Sequence, residues 1–171
     1  MVVESQAVRV ELPRLSDTLA FGEQIGARLN PGDLVILSGD LGAGKTALTK
    51  GIAVGMGITD LITSPTFVIA RVHYGDRVPL VHVDGYRIGD ALELDDLDLD
   101  TDLTRAAVVV EWGDGIAEHL APESLHIKLI RHVDDSRTAV LAAAGIRWTA
   151  AIAHLLSKVS ATGTALAEGA G

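Results

Sequence analysis

Apolar residues recur along this chain at two spacings, one typical of strands and one typical of helices, which predicts an α/β fold. Residues 8–12 alternate as in a half-buried edge strand, and residues 34–37 form the continuous apolar run of a buried strand. Between them, polar N-cap residues open a helix predicted over 16–29. A second helix is predicted from Thr46 to the region of Gly55.

The second half of the chain adds a hairpin and a further strand pair. Strands are predicted over 67–73 and 78–83, and their short connection indicates a hairpin, so part of the sheet is antiparallel. The other predicted elements are a short helix with a loop over 89–103, a buried strand over 106–110, a strand pair over 124–130 and 138–141, and a helix over 149–158. We therefore predict a single three-layer α/β domain over 1–158 with a mixed, partly antiparallel central sheet, followed by a flexible tail over 159–171.

The segment behind the apolar run 34–37 carries the most specific motif of the chain. Residues 39–46 read Gly-Asp-Leu-Gly-Ala-Gly-Lys-Thr, which is the P-loop pattern. Its glycines let backbone N–H groups turn toward a phosphate, and the helix that begins there adds a partial positive charge. Lys45 would reach the β- and γ-phosphates, and the Thr46 hydroxyl would ligate Mg²⁺. The alternative is a glycine-rich turn with a chance lysine, but the complete motif between strand and helix favours nucleoside triphosphate binding.

Two carboxylates follow apolar runs downstream of the P-loop. Asp84 comes directly after residues 78–83, and Glu111 after residues 106–110. Ligands of α/β sheets bind at the carboxyl ends of the strands, and phosphate hydrolysis needs one acidic group for magnesium and one for the attacking water. Each residue alone would also suit a helix cap or an ordinary strand end. The sequence does not say which of the two holds the metal.

Two further candidates have simple structural alternatives. The segment 64–67, Ser-Pro-Thr-Phe, lies where many NTPases sense the γ-phosphate, but it also suits a turn that begins a strand. His82 shares a strand face with Asp84, yet a zinc site would need a third ligand that is not evident. The guanine-reading motif Asn-Lys-x-Asp is absent from the sequence, which favours ATP over GTP.

Charge and composition limit the binding partners and the cellular compartment that we expect. The chain has 14 Lys and Arg against 23 Asp and Glu, a net charge of −9, and its basic residues are scattered, so tight independent binding to nucleic acid is not expected. It has no cysteine, which excludes disulfides and thiol catalysis and agrees with a reducing compartment. Neither a signal-peptide pattern nor an apolar run of about 20 residues is present, and we expect a cytoplasmic protein without a membrane anchor.

Four motifs together resemble those of the bacterial TsaE (YjeE) ATPases. They are the P-loop at 39–46, Ser-Pro-Thr-Phe at 64–67, His-Val-Asp-Gly-Tyr-Arg at 82–87 and Glu-Trp at 111–112, and the likeness covers residues 8–143. The resemblance implies a small ATPase with ATP and Mg²⁺ as ligands, weak by itself and dependent on partner proteins. It implies work with the TsaB and TsaD proteins in the threonylcarbamoyladenosine modification of tRNA at adenosine 37, where hydrolysis lets the complex turn over. Contact with tRNA would be indirect.

The resemblance also implies roles for individual residues. Lys45, Asp84 and Glu111 match catalytic residues, and Thr46 together with Glu111 matches the magnesium ligands. The nucleotide-binding residues implied are Gly42, Ala43, Gly44, Lys45, Thr46, Ala47, Thr66 and Arg137.

Two of these positions, and also Trp112, have a specific expected place. Thr66 would belong to a switch-like loop, and Arg137, in the turn before the last strand, would contact the nucleotide. Trp112 is expected near the site, but packing would explain it equally well. The stretch 89–103 departs from the family, which has a glutamate-rich helix there, and the alanine-rich C-terminal extension lies outside the shared pattern.

Two other functions are compatible with a P-loop. A small-molecule kinase would need an acceptor pocket under a lid, for which the chain has no obvious segment. A nucleotide-dependent regulatory module would give its output through the bound state alone, without hydrolysis. Asp84 and Glu111 argue against such a module, because it needs neither carboxylate.

Overall fold

Seven strands pair into one mixed sheet in the part of the chain that the structure describes. The structure is a computed structural model, and it describes residues 7–64 and 69–161. The strands are β1 Val8–Leu12, β2 Leu34–Ser38, β3 Ala70–His73, β4 Leu80–Asp84, β5 Ala107–Glu111, β6 Ser124–Arg131 and β7 Arg137–Ala144. Their order across the sheet is β1-β7-β6-β2-β5-β4-β3.

The sheet is parallel at its centre and antiparallel toward both edges. β2 pairs in parallel with β5 and β6, and β4 pairs in parallel with β5. The pairs β1–β7, β6–β7 and β3–β4 are antiparallel. Central parallel strands are covered on both faces, which is why β2 and β5 are apolar along almost their whole length. The predicted mixed, partly antiparallel sheet is confirmed.

Helices cover both faces of this sheet. Helices α1 Leu15–Gly26, α2 Lys45–Gly55 and α5 Ile146–Ala161 pack on one face, and the short helices α3 Ala91–Asp95 and α4 Leu99–Leu103 pack on the other. Successive residues of a strand point to opposite faces. Val35 and Leu37 of β2 therefore join the first core, whereas Leu34 and Ile36 join the second. The three-layer architecture predicted from the sequence is confirmed.

Helix α1 begins before the predicted N-cap residues. Its N-cap is Arg14, and Asp17 occupies the third helical position instead of capping the helix itself. The Asp17 carboxylate accepts a hydrogen bond from the Arg14 backbone N–H at 2.9 Å, so it still satisfies a donor at the helix start. The hydrogen bond to the guanidinium of Arg14 lowers the pKa of this carboxyl group.

The segment 89–103 holds two short helices where one helix and a loop were predicted. Asp90 caps α3 by accepting a hydrogen bond from the Glu93 N–H at 3.0 Å. Asp98 then takes a left-handed conformation, with a φ of 57°, and α4 follows it. This break changes the direction of the chain, so neither a helical nor a strand period fits the whole segment. The leucines that it buries are Leu94, Leu99 and Leu103.

Helix α5 is longer at both ends than the predicted helix over 149–158. It carries the buried Trp148, and the Arg147 guanidinium forms an ion pair with the carboxylate of Asp33. The hydrogen bonding in this pair raises the pKa of Arg147. Residues 162–171 of the predicted tail lie outside the described residues. None of the helices in the described ranges has both the length and the apolar character needed to cross a membrane.

Helices α1 and α2 pack backbone against backbone through glycines. A Cβ atom added at Gly26 of α1 would overlap the carbonyl oxygen of Ile52, and one added at Gly51 of α2 would overlap that of Leu19. The other glycines in this contact are Gly22 and Gly55. Since α2 begins at the P-loop, this contact fixes the helix that carries Lys45 and Thr46 against the core.

We predict that Gly26→Ala destabilises the protein by about 1–3 kcal/mol, because the methyl group overpacks the contact between the two helices. The better helix propensity of alanine, worth about 1 kcal/mol, offsets only part of this cost. Urea unfolding measures the change. The matched control is Gly89→Ala, where an added Cβ meets only the flexible Glu93 side chain at 3.5 Å, so a change below about 1 kcal/mol is expected. Equal stability of Gly26→Ala and the parent would contradict the prediction.

Candidate functional site

The carboxyl ends of three strands bring the predicted site residues together. Ser38 ends β2 and leads into the P-loop, while Asp84 and Glu111 are the last residues of β4 and β5. In the register of the sheet, Glu111 lies between Leu37 and Asp84. The two carboxylates therefore belong to the strands themselves, and they share one sheet edge with the P-loop. This is the edge at which α/β sheets bind ligands.

The P-loop wraps around the start of α2. Gly44 is the N-cap of this helix and has a φ of 111°, a conformation that residues with a side chain rarely adopt. The Ala43 N–H is used within the loop, where it bonds to the carbonyl oxygen of Asp40 at 3.0 Å. The first N–H groups of a helix have no intrahelical acceptor and are available to an anion. In α2 these groups belong to Lys45, Thr46 and Ala47.

Lys45 is almost completely buried at the centre of this loop. Its Nζ donates hydrogen bonds to the carbonyl oxygens of Gly39 at 2.6 Å and Asp40 at 2.9 Å. The ammonium also lies 3.8 Å from the ring centroid of Trp112. Burial lowers the pKa of Lys45, and nearby carboxylates, above all Glu111, oppose this shift. The cation is thus desolvated and held by two carbonyl oxygens and an indole ring.

Trp112 lies at the site, where the sequence left packing as an equal explanation. It follows Glu111 directly, has a φ of 59°, and donates its backbone N–H to the carbonyl oxygen of Leu37 at 2.8 Å. A left-handed conformation costs a non-glycine residue about 1 kcal/mol or more. In this conformation the indole ring covers Lys45 and contacts the ring of Tyr86, with 5.0 Å between the centroids.

Glu111 is buried and surrounded by hydrogen-bond donors. Its Oε2 accepts a hydrogen bond from the Thr46 hydroxyl at 3.1 Å. Its Oε1 lies 2.7 Å from Nε2 of His82 and 3.2 Å from the Thr49 hydroxyl. A buried carboxylate is costly unless such partners compensate it. Thr49 was missed by the sequence reasoning, although it lies one turn after Lys45 on the same face of α2.

The oxygen atoms of Thr46 and Glu111 suit magnesium better than zinc. Mg²⁺ prefers oxygen ligands and is usually bound by one or two carboxylates together with substrate phosphates. The hydroxyl of Thr46 and the carboxylate of Glu111 meet at the P-loop and supply such oxygens. Within residues 7–64 and 69–161, no three His, Cys, Asp or Glu side chains are grouped so as to hold a metal ion. The ring of His82 is instead engaged with Glu111.

Asp84 is buried at the end of β4 and is held by two donors. Its Oδ1 accepts the backbone N–H of Tyr86 at 2.9 Å, and its Oδ2 accepts the Ser64 hydroxyl at 2.8 Å. The second bond connects the start of the Ser-Pro-Thr-Phe segment to the site. Thr66, predicted to bind the nucleotide from this segment, lies outside the described residues.

The β6–β7 hairpin brings two arginines to the P-loop. Arg137 is the first residue of β7 and not part of the preceding turn, and its Nε donates to the carbonyl oxygen of Ala43 at 3.3 Å. Arg131, which the sequence reasoning missed, borders the loop as well, since its Nη1 would lie 3.4 Å from a Cβ added at Gly42. Both guanidinium groups are near the side chain of Asp135.

Comparison with known proteins identifies relatives that cover most of the chain. The profile of the family described as threonylcarbamoyl adenosine biosynthesis protein TsaE matches residues 12–139. The tRNA threonylcarbamoyladenosine biosynthesis protein TsaE of Streptomyces coelicolor is 47% identical over 143 residues, which are 80% of this chain and 97% of that protein. The protein of the same name from Mycobacterium tuberculosis is 54% identical over 129 residues, which are 70% of this chain and 77% of the relative.

A solved structure is similar to this chain in both fold and sequence. The crystal structure of YdiB from Bacillus subtilis superimposes with a TM-score of 0.75 at 34% identity, and the match covers 90% of this chain and 96% of that one. The family profile spans the P-loop, both strand-end carboxylates and Arg137. On these grounds the chain belongs to the TsaE family of threonylcarbamoyladenosine biosynthesis proteins.

Proposed function

We propose that this protein is a Mg²⁺-dependent ATPase that supports the threonylcarbamoyladenosine modification of tRNA at adenosine 37 and acts with TsaB and TsaD. The observation that carries the enzymatic part is the 3.1 Å hydrogen bond between the Thr46 hydroxyl and Glu111. Thr46 directly follows the P-loop lysine, Lys45. A P-loop beside an oxygen pair of this kind is the arrangement that holds a nucleotide together with Mg²⁺. The names of the relatives support the pathway.

The P-loop residues would hold the phosphates of ATP. Lys45 would exchange a loop carbonyl for a phosphate oxygen, whose negative charge makes the hydrogen bond from the ammonium stronger. Arg137 is close enough to the P-loop to add a second cation on the side of the β6–β7 hairpin. Thr46 and Glu111 would hold Mg²⁺, which, when bound, neutralises charge on the phosphates.

Asp84 would orient the attacking water. A carboxylate has about four acceptor positions, and the bonds from Ser64 and Tyr86 use two of them. These bonds fix the orientation of the carboxylate and leave acceptor positions for a water. Thr66 remains a predicted contact of the nucleotide from the neighbouring segment.

We predict that Lys45→Ala weakens ATP binding by at least about tenfold, because a charge-assisted hydrogen bond to phosphate is worth roughly 1.5–3 kcal/mol. Isothermal titration calorimetry measures the affinity. Lys50→Ala is the matched control, since Lys50 is an exposed lysine on the same helix and its loss leaves the affinity unchanged. An unaltered affinity in Lys45→Ala would contradict phosphate binding by the P-loop.

We predict that Asp84→Asn and Glu111→Gln each lower the rate of ATP hydrolysis at least about a hundredfold while nucleotide binding falls much less, because the two carboxylates act mainly in the transition state. Phosphate release and calorimetry give the two quantities, and removal of Mg²⁺ with EDTA abolishes hydrolysis by the parent. Asp100→Asn is the control, because Asp100 is exposed on α4. Parental rates in both variants would refute the catalytic assignment.

Hydrolysis measured with and without purified TsaB and TsaD tests the function as a whole. We expect the partners to stimulate phosphate release and the complete set to modify tRNA repeatedly only when ATP is hydrolysed. Transfer of phosphate to a small acceptor without any response to the partners would indicate a kinase. Modification that proceeds equally with a non-hydrolysable ATP analogue would indicate a regulatory module.

A further inference from the structure

A buried histidine is the closest described hydrogen-bond partner of the Glu111 carboxylate. His82 lies in the interior of β4 with no exposed surface, and its Nε2 is 2.7 Å from Glu111 Oε1. A carboxylate oxygen only accepts, so the hydrogen of this bond belongs on Nε2 of the ring. The bond crosses from β4 to the neighbouring strand β5, and both side chains are buried among the apolar residues of the sheet.

His82 is also the donor on which Oε1 depends most. The Thr49 hydroxyl lies 3.2 Å from Oε1, but it is also 3.0 Å from the carbonyl oxygen of Lys45. A hydroxyl has a single hydrogen, so Thr49 donates to only one of the two acceptors at a time. The shorter distance favours the bond within the helix. The imidazole of His82 has no competing acceptor at Nε2 among the described residues.

The two oxygens of Glu111 therefore have different surroundings. Oε1 faces His82 inside the sheet, and Oε2 faces the Thr46 hydroxyl at the P-loop. We propose that His82 is a positioning residue for the metal site: it holds Oε1 and so keeps Oε2 directed at Thr46, ready to bind Mg²⁺. This inference rests on the proposed function, because it concerns the magnesium site of the ATPase.

The other ring nitrogen of His82 argues against a role in packing alone. Nδ1 is buried and has no hydrogen-bond partner within residues 7–64 and 69–161. Leaving a polar atom in this state costs stability, which a leucine or phenylalanine at the same position would avoid. The bond from Nε2 to Glu111 is the compensating interaction. Outer partners of this kind orient metal ligands, and their loss lowers metal affinity or activity about 10- to 100-fold.

The test compares three variants of His82 by how Mg²⁺ changes nucleotide binding. His82→Gln places an amide N–H near the position of Nε2, whereas His82→Asn is too short to reach Glu111 and His82→Leu has no donor. Calorimetry gives the affinity for ADP in EDTA. It also gives the Mg²⁺ concentration that produces half of the total change in ADP affinity caused by Mg²⁺. We expect the Asn and Leu variants to need about 10- to 100-fold more Mg²⁺. We expect His82→Gln to stay within about threefold of the parent, and ADP affinity in EDTA to be unchanged in all three.

The matched control is His73→Leu. His73 is also buried and lies at the opposite end of the strand pair β3–β4. One of its ring nitrogens is near Asp60, and the other has no hydrogen-bond partner in the described part of the chain. Its replacement removes a comparable buried imidazole away from Glu111, so the Mg²⁺ requirement stays at the parental value. If the Mg²⁺ requirement rose equally in His73→Leu and His82→Leu, the cause would be a general loosening of the sheet, and the proposal would be overturned.

Nitrogen NMR of the parental protein tests the same bond without a mutation, and circular dichroism shows which variants fold. We expect the hydrogen of His82 on Nε2 and a change of this resonance when Mg²⁺ is added to the ADP complex. Two results would overturn the role of His82 and leave the proposed function standing. One is a hydrogen on Nδ1 with none on Nε2; the other is folded Asn and Leu variants that have the parental Mg²⁺ requirement. A parental protein that binds no nucleotide would overturn the proposed function, and the role of His82 with it.

Discussion

The parallel ladder that joins β2, β5 and β4 places three strand ends side by side at one edge of the sheet. Its register sets Glu111 between Leu37 on one side and Asp84 on the other. Leu37 is the next-to-last residue of β2, the strand that leads into the P-loop. A shift of one residue in either pairing would turn the side chains of a strand to the other face. The apolar residues of these strands are buried on both faces, so such a shift would also expose part of both cores. The packing of the sheet and the geometry of the site therefore depend on the same register.

At this edge the sheet holds charged groups in surroundings that desolvate them. Glu111 and Lys45 are both nearly buried, and burial lowers the pKa of Lys45 while nearby carboxylates oppose the shift. Each charge is compensated by specific partners: carbonyl oxygens and an indole ring for Lys45, hydroxyls and an imidazole for Glu111. Groups already held in this way need little rearrangement when a charged ligand arrives, and electrostatic interactions are stronger where water is excluded.

The elements around the site supply rigid support from two directions. Glycines bring α1 and α2 into backbone contact, so the helix behind the P-loop is held against the core by atoms that cannot change rotamer. On the other side, the β6–β7 hairpin carries Arg137 to the carbonyl oxygen of Ala43. Helix α5, which follows the region matched by the TsaE family profile, joins the first core through Trp148 and forms an ion pair with Asp33 through Arg147.

The sequence alone determined the P-loop, the order of the main elements and the two strand-end carboxylates, because these depend on local spacing. The P-loop motif is one continuous segment, residues 39–46, and Asp84 and Glu111 each end an apolar run. The contacts of Glu111 were not predictable in this way, since Thr49 is 62 and His82 is 29 residues away along the chain. Nor did the spacing of apolar residues show that Trp112 covers Lys45 or that Arg131 borders the loop. It also did not show that Asp98 divides 89–103 into two helices. The contacts of Glu111 and Trp112 arise only when the strand order β2-β5-β4 brings distant segments together, and Arg131 reaches the loop because β6 lies beside β2. Local periodicity carries no information about which strands become neighbours.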